Sequence, residues 1–491
     1  METGTVIGAE TGDVFMTTRR FRPLTLAALA MALPLVSLLF NAFHPEVCRA
    51  QPENVTTYTG KLSDGKSSYT ILVPKDWNGT VFVSLDTLAS GMRVEADSIV
   101  RDWLLDHGHA VAGTDRDTVG WDLSYAAANV VEVLDTFTTL VKKPSRSIVW
   151  GKSRGGGTTR TVVQLYPDRF DAAAPMCGGG AGTIAMNNFK LDAAFGLDVL
   201  LGSEYGLRLE LNNIQDLDTE TSNVKEILRR AQETPQGRAR VALAGAFSQI
   251  PVWNQIGQSE PAEDDFDAQQ ANVAAGLPYA LGNFFLPFQE NLAGGPFTWN
   301  HGVDYRIQLE NSGYKQLVQA LYKKAGLDLQ ADLAKLAKSP RISANPTAVG
   351  FIEKHNITWT GDLHIPVFSM TTTGDMAGPI SDENSYADVV RYAGKSGLLR
   401  QAFVHRCGHC NFTPGEQIAV FETLIKRLDT GKWEDNATAE GLTKLVKKLQ
   451  SKTSLDLGGS NFAPIDPPGG LRTWDVRNWD TYRPEGVPPW K

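Results

Sequence analysis

The sequence predicts an α/β protein: a doubly wound, mostly parallel sheet with a large, mainly helical cap inserted after the sixth strand. Short apolar runs alternate with helical patterns through residues 51–180 and again through 363–452, whereas helical patterns dominate residues 181–362. Alternating strands and helices are typical of a parallel sheet that is covered on both faces. We therefore expect a core built from the two outer segments and a cap formed by the middle one.

The strands of the first core segment are predicted by short β-rich runs that begin near Val55. The turn-forming pair Asn78-Gly79 separates two of these runs, and helical patterns separate the later ones. The later predicted strands are Tyr69–Val73, Val81–Leu85, Ala110–Gly113, Ser147–Trp150 and Ala172–Met176, with helices at about 94–105, 122–141 and 155–166.

The middle part of the chain lacks this alternation of strands and helices, and the last part resumes it. Helices are predicted in the cap at Val224–Ala231, Tyr314–Ala325 and Leu327–Ala337. The alternation then returns with strands Ile365–Thr371 and Arg400–Val404 and with helices near 382–392, 414–429 and 439–449. Residues 453–491 are rich in Gly, Pro and Trp, and we expect them to form an extended surface tail.

Composition and the N-terminal residues indicate which partners and which cellular location the protein can have. The 491 residues carry a formal charge of −8, which argues against a nucleic-acid partner because such a partner needs a basic face. Arg19, Arg20 and Arg22 precede an apolar run at 24–43, and Ala50 has the position of a cleavage site. The pattern predicts a secretory signal over residues 1–50, a secreted or periplasmic protein and no stable membrane association after cleavage. An uncleaved N-terminal anchor is the alternative.

The pentapeptide GKSRG at residues 151–155 matches the pattern G-x-S-x-G between a predicted strand and a predicted helix. Such a strand-to-helix turn presents the central serine, Ser153, as a nucleophile, and the flanking glycines permit the sharp turn. The backbone N–H of Arg154, at the start of the helix, faces the position where an oxyanion would develop. A phosphate-binding loop is the alternative, but Arg146 stands where that motif needs glycine.

A serine nucleophile needs a general base, and the base needs an acid to orient it. Asp375 follows one predicted strand, and His409 follows the next. The carboxyl ends of parallel strands meet at one edge of the sheet, so we expect Ser153, Asp375 and His409 to form a triad. His405 and Asp382 compete for these roles, but His405 lies nearer its strand and Asp382 falls within a predicted helix.

The chain from about residue 55 to 429 resembles the α/β-hydrolases, on the GKSRG turn and the later Asp375 and His409. The adjacent Cys410 also resembles the tannase and feruloyl-esterase group, in which a disulfide joins the cysteine after the catalytic histidine to one just before the serine. Here Lys152 occupies that second position. The resemblance then makes Cys177 a candidate disulfide partner of either Cys410 or Cys407.

The resemblance implies hydrolysis of carboxylic esters, small-molecule or polymeric, with no metal or organic cofactor. A second oxyanion donor is expected after the strand Val81–Leu85, at Asp86 or Thr87. A peptidase or amidase related to the prolyl oligopeptidases is the first alternative. A non-catalytic binding protein is another. A thiol-disulfide oxidoreductase acting through Cys407-Gly408-His409-Cys410 is a third.

Overall fold

The structure is a computed structural model that describes residues 54–85, 94–115, 120–281 and 286–472. The predicted signal segment, the donor candidates Asp86 and Thr87, and the end of the predicted tail lie outside these residues. The predictions for these three parts of the chain therefore stay predictions.

The described residues contain a nine-stranded, mostly parallel sheet. The strands lie in the order β1-β2-β4-β3-β5-β6-β7-β8-β9. From β4 across to β8 all neighbours are parallel, whereas β1, β2 and β9 join the sheet by antiparallel pairing. The strands are β1 Val55–Lys61, β2 Ser68–Pro74, β3 Thr80–Ser84, β4 Ala110–Thr114, β5 Arg146–Lys152, β6 Ala172–Met176, β7 Val367–Gly374, β8 Leu399–Cys407 and β9 Phe462–Ala463.

Sixteen α-helices in the described residues connect and cover these strands. In the two core segments they are α1 Val94–Asp106, α2 Leu123–Leu140 and α3 Arg154–Leu165, and later α14 Ile380–Tyr392, α15 Pro414–Thr430 and α16 Ala439–Gln450. Between β6 and β7 they are α4 Thr183–Leu197, α5 Ser203–Tyr205, α6 Leu217–Ala231, α7 Pro235–Ala246, α8 Phe266–Leu281, α9 Leu286–Ala293, α10 Tyr305–Asn311, α11 Lys315–Ala325, α12 Leu329–Lys338 and α13 Pro346–Ile352.

Helices cover both faces of the sheet. On one face α2, α3 and α14 bury side chains such as Phe137, Val162 and Val390 against the strands. On the other face α1, α15 and α16 bury Trp103 and Phe421. This three-layer arrangement follows from the sequence, because strands that are buried on both faces must be largely apolar. Strands β3, β4 and β6 are fully buried in this way. The strand order and the layers confirm the predicted α/β-hydrolase fold.

The helices between β6 and β7 pack around a core of their own, which α4, α6, α7, α8, α10, α11 and α12 share. The largest side chains in it include Phe195, Phe247 and Tyr322. The helix predictions at 224–231, 314–325 and 327–337 fall within α6, α11 and α12, apart from an added residue or two at the ends. The boundaries of this segment as a separate cap stay predictions. No helix in the described part of the chain has the length and apolarity to cross a membrane.

The described residues 453–472 of the predicted C-terminal tail are mostly exposed or half-buried, and a few of them attach closely to the rest of the protein. Phe462–Ala463 pairs with β8 as the ninth strand, and Leu457 is fully buried. At its described end, the Arg472 guanidinium is also buried, and it binds the Asp192 carboxylate of α4 at 2.6 Å and donates to the carbonyl of Trp299 at 2.7 Å. A buried guanidinium that finds two acceptors ties this segment to the inserted helices.

Candidate active site

Ser153 lies at the turn between β5 and α3, in a conformation with φ 57° and ψ −121°. A positive φ is rare for a residue with a side chain and is sustained only where the surrounding structure fixes it. Here the fixing comes from close backbone contacts. A Cβ at Gly151 would lie 2.5 Å from the backbone of Gly155, and one at Gly156 would lie 2.4 Å from the Met176 carbonyl oxygen. The glycines of and after the GKSRG motif therefore let α3 approach β6 and hold Ser153 clear of the sheet.

Asp375 and His409 follow β7 and β8 and reach the same edge of the sheet as Ser153. His409 Nε2 lies 2.8 Å from Ser153 Oγ, and His409 Nδ1 lies 2.8 and 2.9 Å from the two carboxylate oxygens of Asp375. The network assigns the tautomer: Nδ1–H donates to the carboxylate, and Nε2 accepts from the serine hydroxyl. The three residues proposed from the sequence therefore lie in the geometry of a nucleophile, its base and an orienting acid.

Asp375 is well fixed for an orienting role. Its side chain is almost completely buried, and it also accepts hydrogen bonds from the backbone N–H of Ala377 at 2.8 Å and of Gly378 at 3.3 Å. Donors from the backbone satisfy the carboxylate while leaving both of its oxygens in contact with His409. This geometry keeps the imidazole in one orientation.

The competing histidine, His405, lies in a different environment. Its Nε2 is 2.9 Å from Glu260 and its Nδ1 is 3.3 Å from the hydroxyl of Thr373. The His405 and Glu260 side chains are 43% and 50% exposed. The sequence therefore offered two histidines four positions apart, one within β8 and one just after it, and the structure joins only His409 to Ser153.

Arg154 is the first residue of α3. The first N–H groups of a helix have no intrahelical acceptor, so the Arg154 N–H is suited to binding a developing oxyanion. Its guanidinium donates to the Gly120 carbonyl and lies 5.3 Å from the centre of the Trp121 ring. The side chain of Arg154 thus contacts Gly120 and Trp121, whereas its backbone N–H lies at the first turn of α3. Its oxyanion role, like that of Asp86 or Thr87 beyond the described residues, stays a prediction.

A disulfide joins Cys177, just after β6, to Cys410, the residue after His409. Of the two pairings that the sequence left open, the structure contains the one with Cys410. Cys407 is a buried thiol that donates to the Gln255 carbonyl at 3.2 Å, and burial raises its pKa. A redox-active thiol needs the opposite shift and a pairing of Cys407 with Cys410, so the geometry gives the oxidoreductase alternative no support.

The disulfide cysteines and His409 together form a cluster of potential metal ligands. Cys177, His409 and Cys410 place potential ligand atoms within 4.8 Å of one another. The two sulfurs are bonded to each other, and both ring nitrogens of His409 are hydrogen-bonded to Asp375 and Ser153. The donor set is therefore occupied by the disulfide and the triad rather than arranged for a metal ion.

Ser153 and His409 open into a cleft with an empty volume of about 980 Å³. One wall belongs to the sheet edge and the loops after β5 and β6. The other consists of residues from the inserted helices, which sequence reasoning missed: Thr183, Met186, Asn187 and Lys190 of α4, Tyr279 of α8 and Gln289 of α9. Trp121, Leu123 and Trp359 add apolar surface. The α4 positions have helical i, i+3, i+4, i+7 spacing, and a lysine within so apolar a helix was the signal that could have found them.

Buried charges lie beside the triad. Burial lowers the pKa of Lys190 to about 8, against the effect of Asp382 and Asp375, whose negative charges raise it. Burial likewise raises the pKa of Asp382 to about 8, and its Oδ2 has no hydrogen-bond partner in the described structure. Next to it, Arg160 and Glu383 form a buried ion pair at 2.6 Å. The cleft thus holds a buried lysine that interacts with the carboxyl groups of Asp382 and Asp375.

No family model matches the chain. An esterase from Aspergillus oryzae is similar over 76% of this chain and 79% of its own, at 13% identity and a TM-score of 0.37. Feruloyl esterase B from the same organism is similar over 77% and 81%, at 16% identity and a TM-score of 0.36. An o-phthalyl amidase from Xanthobacter agilis is 34% identical over 461 residues, which are 88% of this chain and 97% of that protein. The chain therefore belongs to the same hydrolase family as this o-phthalyl amidase.

Proposed function

We propose that the protein is a serine hydrolase that transfers an acyl group to water through a covalent acyl-enzyme. The observation that carries this proposal is the hydrogen-bond chain Ser153–His409–Asp375, with contacts of 2.8 to 2.9 Å. Ser153 Oγ attacks the substrate carbonyl while His409 Nε2 takes its proton. Asp375 stabilises the resulting imidazolium, and the Arg154 N–H stabilises the oxyanion.

The proton that His409 has taken is then used to complete formation of the acyl-enzyme, and the same groups afterwards hydrolyse it. His409 gives its proton to the leaving alcohol or amine, which departs and leaves the acyl group on Ser153. A water molecule then loses a proton to His409 and attacks the acyl carbonyl, and the proton returns to Ser153 as the acid is released. No step needs a metal or an organic cofactor.

Hydrolysis of para-nitrophenyl esters by the wild type, Ser153→Ala and Ser451→Ala tests this proposal. We expect Ser153→Ala to lose at least about a thousandfold in kcat/KM, because the nucleophile is gone. Ser451, an exposed residue after α16, is a matched serine control that should retain wild-type activity. Wild-type protein that neither turns over an ester nor reacts with a fluorophosphonate at Ser153 would instead support the non-catalytic binding alternative.

Amide hydrolysis is a second candidate, favoured by the 34% identical relative, which is an o-phthalyl amidase. Such a site hydrolyses an ester more easily than an amide. We therefore expect the protein to cleave both the ester and the amide of the same acyl group. Comparing para-nitrophenyl benzoate with the para-nitroanilide of benzoic acid separates the esterase from the amidase activity. Anilide turnover that disappears in Ser153→Ala supports an amidase, whereas ester turnover without any anilide turnover restricts the protein to esters.

Export of the protein is also a proposal. It is supported by the signal pattern of residues 1–50 and by the disulfide between Cys177 and Cys410, since disulfides persist in oxidising compartments. N-terminal sequencing of protein recovered from the producing cell is the test. A mature chain that begins just after Ala50 is expected, and a chain that retains the apolar run would favour the uncleaved anchor.

A further inference from the structure

The inserted helices form a second cavity next to the catalytic cleft. Its empty volume is about 590 Å³, which is within the range of sites that bind small molecules. Asn187 and Lys190 of α4 line both this second cavity and the cleft that contains Ser153 and His409. The two spaces therefore adjoin at one turn of a single helix.

Two helix faces form much of the wall of the second cavity. On α4 the lining residues Asn187, Leu191 and Ala194 have the spacing i, i+4, i+7 of one side of a helix. On α6, Leu217 and Val224 lie two turns apart on one side in the same way. An apolar helix face normally packs against a neighbouring element, and here both faces line a space instead.

Several apolar side chains of this wall are not fully buried by the protein itself. The lining residues that stay half-buried are Ala194, Leu209, Leu211, Ile214 and Leu217. Apolar surface that remains in contact with water is unfavourable, and a concave patch of it is typical of a ligand-binding groove. The second cavity is therefore suited to an apolar occupant.

The charged groups of the lining favour an occupant without charge. Glu210 and Glu220 line the second cavity, and the backbone N–H of Glu210 donates to the Glu220 carboxylate at 3.0 Å. Lys190 lines it as well, but its ammonium already interacts with the carboxyl groups of Asp382 and Asp375. An anion would lie beside the two glutamates and a cation beside the lysine, so a neutral chain is the best match.

We propose that the second cavity is a subsite for a neutral, unbranched alkyl chain of the substrate whose scissile carbonyl lies at Ser153. This inference rests on the proposed hydrolase function and deepens it. The chain belongs either to the acyl group or to the leaving alcohol or amine. It enters past Asn187, whose side-chain amide donates to the Thr183 carbonyl at 2.8 Å and to the Gln289 side chain at 3.3 Å. Gln289 lines the cleft and Asn187 lines both spaces, so this pair lies where they adjoin.

Two ester series test the proposal and separate the two positions of the chain. The para-nitrophenyl esters from acetate to decanoate lengthen the acyl group, and the alkyl benzoates from methyl to decyl lengthen the leaving alcohol. In one of the series we expect wild-type kcat/KM to be at least about tenfold higher for the octanoate or octyl ester than for the butanoate or butyl ester, because each buried methylene adds to binding.

The matched variants place a phenylalanine inside or outside the second cavity. Ala194→Phe fills the cavity, so the ratio of kcat/KM between the octyl and butyl members should fall toward one. Ala334→Phe, at an exposed position of α12, is the control and should keep the wild-type ratio. A wild-type ratio near one in both series, or a ratio that Ala194→Phe leaves unchanged, overturns the inference.

The wild type alone also decides the question, which matters if Ala194→Phe fails to fold. A boronic acid forms a tetrahedral adduct with a serine nucleophile, so octylboronic acid should inhibit hydrolysis of para-nitrophenyl acetate at least about tenfold more strongly than butylboronic acid. Equal inhibition by the two refutes the proposal. A wild-type dimer that Ala194→Phe dissociates, without a change in the ester ratio, would assign the cavity to a contact between two copies of the chain. Failure of the proposed function is distinguishable, because then the acetate is not hydrolysed and Ser153 is not labelled by a fluorophosphonate.

Discussion

The two walls of the cleft are held in place in different ways. On the sheet side, Ser153, Asp375 and His409 lie within two residues of the end of a parallel strand, and backbone contacts and a disulfide fix their positions. On the helix side, Lys190 and Tyr279 lie on helices that pack around a separate core. The wall that carries Ser153 is thus fixed by backbone geometry, whereas the wall that carries Lys190 is fixed by side-chain packing between helices.

The largest effect is expected on the sheet side, from Asp375→Asn. The amide can no longer hold His409 in the tautomer that accepts the serine proton, so we expect kcat/KM for a nitrophenyl ester to fall about 10⁴-fold. The control is Glu260→Gln beside His405, a second His–carboxylate pair that contacts no serine nucleophile. Similar losses in both variants, or no loss in Asp375→Asn, would contradict the assignment of Asp375 as the acid that orients His409.

The same contrast explains what the sequence could reveal. Strands that must be apolar on both faces produce recognisable runs, and each predicted core strand falls within or close to an observed one. A turn such as the one at Ser153 has a local signature, so the three residues that the structure brings together could be named in advance. Lys190 has no comparable motif. Its position in the cleft depends on how ten helices pack on one another, and that information is distributed over contacts far apart in the sequence.

A second prediction concerns the stability of the helix side. Arg472→Met would leave the Asp192 carboxylate buried without its cation, and we expect the free energy of unfolding to fall by about 3–5 kcal/mol. On the sheet side, the pair Arg146–Asp429 has side chains 37% and 41% exposed, so Arg146→Met should cost less than about 1 kcal/mol. Urea unfolding measures both. Equal costs would mean that Arg472 does not anchor the inserted helices.

Breaking the disulfide is expected to have a somewhat smaller effect. The bridge closes a loop of 233 residues that includes every inserted helix, and it holds the loop that carries His409. Cys410→Ala together with Cys177→Ala should lower the free energy of unfolding by about 2–4 kcal/mol and reduce the ester rate. Cys407→Ser is the control, because it alters the remaining thiol in the same segment but keeps a donor for the Gln255 carbonyl. A reduction in rate by Cys407→Ser alone would instead implicate the unbridged thiol.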